Sequence, residues 1–120
     1  MQLTHQPQEI EVWYILPAIR KEIAKELKKT GMSQVEISKI LGVTKASITH
    51  YIKDKRAKNI DFPKQIMCMI KNISKELNIN PENSTNKIQK IIQEIRSTGL
   101  LCKYHKQYSQ IEKECTVCIG

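Results

Sequence analysis

Residues 32–56, "MSQVEISKILGVTKASITHYIKDKR", place apolar side chains at helical intervals on both sides of one glycine, with a hydroxyl residue ahead of each run. Ser33 with Glu36 three residues on forms a capping box, in which the hydroxyl accepts from a first-turn amide. Val35, Ile37, Ile40 and Leu41 then supply an inward side. Gly42 permits the positive φ at which the chain turns sharply. Thr44 is placed to cap a second short helix, in which Ile48, Tyr51 and Ile52 point inward. Lys45, Ala46, Ser47, Thr49, His50 and Lys53 then lie outside, a small, polar and cationic face.

Upstream, Leu16, Ile19, Ile23, Ala24 and Leu27 follow three- and four-residue steps, predicting a helix that Pro17 begins and Gly31 stops. Its other face carries Arg20, Lys21, Lys25, Lys28 and Lys29, and residues 1–15 read as an arm. Downstream, a helix over about residues 63–77 repeats Ile66, Ile70, Ile73 and Leu77, a narrow seam of coiled-coil type. Cys68 reads as a small buried hydrophobe within it. After the polar residues 78–86, Ile88, Ile91, Ile92 and Ile95 mark a fifth helix ended by Gly99. The fold class is all-α.

A chain of 120 residues can bury one modest core with a small appendage. No apolar run reaches the roughly 20 residues of a membrane span, so a soluble, cytoplasmic protein without a membrane partner is expected. Between Leu16 and Ile60 stand eleven Lys/Arg against four Asp/Glu, a net +7 of the formal +8. Such a concentration draws a polyanion to one part of the molecule. The acids are scattered and there is no glycine-rich phosphate loop, so neither catalytic residues nor a small-molecule substrate is indicated.

Two short helices joined by a glycine turn describe a helix-turn-helix, whose second helix enters the major groove of duplex DNA. The stretch resembles the lambda-repressor-like, or Xre-type, helix-turn-helix family over about residues 16–60. With "EVWYILPAIRKEIAKEL" before it, the chain looks more particularly like small archaeal predicted transcriptional regulators that end in a cysteine cluster. The resemblance implies a helical bundle and DNA binding, and a sequence-specific transcriptional regulator acting on double-stranded DNA is the leading expectation. By position it implies that Gln34 holds a phosphate or braces a recognition residue, and that Lys45, Ala46, Ser47, Thr49 and His50 face base edges. Lys45 can donate to guanine O6 or N7, Ser47 and Thr49 can donate or accept, and the Ala46 methyl can lie against thymine. Lys53, Lys55, Arg56 and Lys58 read as phosphate contacts that set register. The isoleucine seams of the last two helices suggest a homodimer reading two half-sites.

The chain ends in "LLCKYHKQYSQIEKECTVCIG", which spaces Cys102, His105, Cys115 and Cys118 as C-x2-H-x9-C-x2-C. Two ligand pairs, each separated by two residues, can complete a closed tetrahedral shell of the structural kind. Zinc suits Cys3His. An iron–sulfur cluster is the alternative and would make the tail a redox or iron sensor. Reduced thiols or a Cys115–Cys118 redox pair are the remaining readings. The expected organisation is therefore an arm and helix-turn-helix over residues 1–61, a helical dimerisation region over 62–99, and a metal-binding tail over 100–120. A rival function is a nucleic-acid adaptor with a zinc knuckle that binds RNA or single-stranded DNA without sequence preference. With aromatics only 5% of the chain, no stacking platform is evident for it.

Overall fold

The structure is a computed structural model that describes residues 6–53 and 60–100. These residues form helices and connecting turns, with no strand among them. The first helix starts at Pro7, so residues 7–15 are not the arm expected of them. Helix α1 (Pro7–Ile10) runs through a π-helical turn (Glu11–Ile15) directly into α2 (Leu16–Lys29), with right-handed helical backbone at both junctions. Pro17 therefore lies inside a continuous helix. Its ring would crowd the carbonyl four residues earlier in an α-helical turn. The π-turn just before it, in which the Leu16 amide reaches back to the Glu11 carbonyl, widens the backbone where that clash would fall. Ile10 and Ile15 are fully buried as a result of this path.

Helices α3 (Gln34–Leu41) and α4 (Lys45–Ile52) follow the expected limits. Helix α5 (Lys64–Ile79) and α6 (Ser84–Thr98) both extend further into the polar turn than their apolar spacing indicates. Only residues 80–83 remain between them. Asn80 Oδ1 accepts from the Glu82 amide, and Asn83 adopts φ 65°, a left-handed conformation that asparagine enters more readily than most residues.

Helix α2 is the axis of the bundle, packed by α3, α4 and α5. Ala18, Ile19, Ile23, Ala24 and Leu27 are buried, and so is Lys21, expected on a solvent face. The reason is geometric: with neighbours on several sides, α2 exposes side chains only at its end, from Lys28 onward. Val35 departs the other way, being 44% exposed on α3 while Ile37 and Leu41 carry the packing.

The seams of α5 and α6 are spent within the chain. Ile66, Ile70, Ile73 and Leu77 from α5 are buried together with Ile88, Ile91, Ile92 and Ile95 from α6. Each fully buried isoleucine stabilises the fold by about 1.5–3 kcal/mol, so these residues need no second copy to cover them. Cys68 faces outward from the same helix and is exposed, not buried, because positions 66 and 70 take the inward phase. Polar ties fasten the hairpin to the rest. Ser84 Oγ donates to the Ile40 carbonyl at 2.7 Å, and Thr30 Oγ1, whose nearer acceptor is the Leu27 carbonyl at 2.6 Å, has Asn78 Oδ1 as a second at 3.2 Å. On the far side Arg96 donates through Nε and Nη2 to the two oxygens of Glu11, each at 2.9 Å. This bond raises the Arg96 pKa above its ordinary value although burial opposes it.

Candidate nucleic-acid interface

The two caps and the glycine turn set the angle of α4. Ser33, with φ −71° and ψ 155°, accepts the Glu36 amide on Oγ at 3.2 Å and so opens α3. Gly42 closes α3 at φ 67°, where its amide and that of Val43 both return to the Ser38 carbonyl. A Cβ at Gly42 would meet nothing within 4 Å, so the requirement for glycine is one of backbone conformation and not of space. Thr44 opens α4 by accepting the Ser47 amide at 3.1 Å.

The same cap changes the reading of Ser47. Thr44 Oγ1 donates to Ser47 Oγ at 3.0 Å, and Ser47 is only 6% exposed. Three residues into the helix, Ser47 takes the phase that closes the cap and turns toward the core, so it does not lie on the outward face expected of it. Lys45, Ala46, His50 and Lys53 do lie there, exposed along one side of α4. Thr49 is half-buried at the edge of this face. Its hydroxyl donates to Gln34 Oε1 at 2.8 Å, with the Lys45 carbonyl at 3.2 Å as a second acceptor.

The Gln34–Thr49 bond joins the first residue of α3 to the middle of α4, so the bracing role assigned to Gln34 has a partner. With Oε1 occupied, the Gln34 amide nitrogen keeps its donors for an oxygen from outside. Thr49 has one proton, and the bond to Gln34 commits it; its oxygen can still accept. The exposed set can accordingly do three things. Lys45 and Lys53 supply mobile cationic donors, the Ala46 methyl an apolar contact, and the His50 ring either donor or acceptor nitrogens. Lys55 and Arg56 lie outside the described residues, as do Cys102, His105, Cys115 and Cys118. Among the described residues no group of three or more His, Cys, Asp or Glu is arranged to hold a metal ion.

Residues 23–65 match the helix-turn-helix family model. This segment is a helix-turn-helix domain. The match begins within α2, spans α3 and α4, and ends at the start of α5. It agrees with the lambda-repressor-like assignment and bears on neither the archaeal group nor the cysteine cluster. A helix-turn-helix of this family is a DNA-binding domain and not an enzyme fold. No curated protein and no solved structure matches the chain. No helix among the described residues is long and apolar enough to cross a membrane. Beyond the helix-turn-helix, the features that the sequence left unseen include the early start of the first helix, the buried Lys21 and a cleft behind α3. None of these three has a local signal, since each arises where elements distant in sequence meet.

Proposed function

We propose that this chain is a sequence-specific transcriptional regulator whose α4 enters the major groove of double-stranded DNA. The observation that carries it is the row Lys45, Ala46 and His50 exposed along a helix that two caps and the Gln34–Thr49 bond hold at a set angle. Lys45, Ala46 and His50 read base edges, Thr49 contributes its remaining acceptor, and Gln34, Lys53, Lys55 and Arg56 hold phosphates. Ser47 drops out of the reading set because its hydroxyl is inside. The homodimer is part of this proposal through the two-fold geometry of paired half-sites alone. For the tail, the spacing of Cys102, His105, Cys115 and Cys118 supports a structural zinc ion, with an iron–sulfur cluster as the alternative.

Selection from a random duplex pool tests the function. A recovered motif that binds more tightly than random duplex and single strand at the same salt is the expected result. Equal affinity for all three would instead favour the adaptor reading. Light scattering of the chain, free and on the selected duplex, tests the dimer. Elemental analysis of anaerobically purified protein, with its visible spectrum, separates zinc from an iron–sulfur cluster.

A further inference from the structure

A cleft of about 430 Å³ opens behind the helix-turn-helix, where the outer side of α3 faces the end of α5 and the turn into α6. That volume lies within the range of about 300–1,000 Å³ typical of small-ligand sites. Its apolar lining comes from both halves of the chain: Met32 and Ile40 from the helix-turn-helix side, Leu77 and Pro81 from the hairpin side. Its charged lining is two carboxylates and one ammonium: Glu36 and Lys39 on α3, Glu82 in the turn into α6. All three are exposed, and neither carboxylate has an ion-pair partner among the described residues.

Three observations give this cleft a sign. The carboxylates outnumber the ammonium in a chain whose formal charge is +8. They come from different elements of the lining, Glu36 from α3 and Glu82 from the turn between α5 and α6. Helix α5 also ends beside the cleft, with Leu77 and Asn78 of its last turn in the lining, and that turn holds no basic residue to answer the partial negative charge of its carbonyls. We propose that the cleft binds an organic cation bearing an apolar arm, with the ammonium between Glu36 and Glu82 and the arm against Met32, Ile40 and Leu77. The site also has leverage. Ile40 both lines the cleft and accepts the Ser84 hydroxyl that fastens α3 to α6. A bound cation therefore bears on α3 and, through Gln34–Thr49, on α4. That consequence rests on the DNA-binding reading, whereas binding to the free chain does not.

The test is an NMR titration of the full chain, without DNA, using three probes of one shape: 2-phenylethylamine, 2-phenylethanol and 3-phenylpropionate. The amine is expected to give saturable shifts at Met32, Ile40 and Leu77, binding about tenfold more tightly than the alcohol, as charge-assisted contacts require. The carboxylate should not saturate. Glu36→Gln with Glu82→Gln should bring the amine down to the alcohol's affinity, leaving the circular dichroism spectrum unchanged. Equal binding of amine and alcohol, preference for the carboxylate, shifts centred elsewhere, or no saturable shift would each overturn the proposal on the unaltered chain. Adding the amine to a selected-duplex binding assay then reads the coupling separately, so absence of an effect there overturns the leverage on α4 alone, whereas failure to select any duplex overturns the DNA-binding reading and leaves the cleft standing.

Discussion

His50 is exposed on α4, and neither its charge nor its ring is needed by the core, so its replacement separates recognition from folding. His50→Ala should weaken binding to a selected duplex by about 1–3 kcal/mol while leaving random duplex nearly unchanged. Fluorescence anisotropy on both DNAs reads the difference, and equal losses would remove His50 from the reading set. Gly42 is the opposite kind of residue, indispensable to the backbone and free of contacts. Gly42→Ala forces an L side chain to φ 67° and should cost about 1–2 kcal/mol of stability, measured by urea unfolding. The Gly42 turn and the outward position of His50 were legible in the sequence because each depends on local chemistry: a glycine between apolar runs, a cap before a helix. Ser47 was misplaced for a related reason. A position close behind an N-cap can face either out or back to the cap, and the hydroxyl chooses the partner nearby.

At the scale of elements, the continuous α1–π–α2 helix is tied to α6 by one bidentate pair. Glu11 is about 9% exposed in its side chain, so Arg96→Ala strands a carboxylate with little water and should destabilise the fold by about 2 kcal/mol. Arg96→Lys keeps the charge but loses the paired geometry and should fall between the two, a graded series that thermal melts can order. The π-turn makes a further test possible. It holds one more residue per turn than the α-helix around it, and Val12 within it is 57% exposed. In a Pro17→Ala background, where no ring needs the wider turn, deleting Val12 should let that turn close as α-helix while Glu11 keeps its phase toward Arg96. The loss in melting temperature should be smaller than for deletion of Lys25 within α2. This stretch was not legible beforehand. Pro17 has the local signature of a helix start, and only packing of residues 10 and 15 into the core explains why the helix begins earlier. The seam of α5, in contrast, was read residue by residue, because a repeat of four and three survives whatever it packs against. What covers the seam was the part no periodicity could tell.

For the molecule as a whole, charge and connectivity govern behaviour. With Lys45 and Lys53 exposed on the α4 side, DNA affinity should fall steeply and linearly on a log–log plot against salt, and each phosphate-contacting lysine removed should lower that slope by about 1. Lys21 is buried and belongs to the fold, so Lys21→Ala should leave the slope unchanged whatever it does to stability. Helix α2 joins the recognition helices to α5. Its buried side chains are shared among α3, α4 and α5, so the recognition unit and the hairpin should melt together as one cooperative transition in calorimetry. A gene fragment encoding residues 23–65 would start in the middle of α2 and stop before Ile66, Ile70 and Leu77 arrive. For anyone assembling chimaeric regulators, the smallest transplantable piece therefore runs from Pro7 through α6. A cut at the limits of the family match would hand the recipient a chain with more than half its interior left behind.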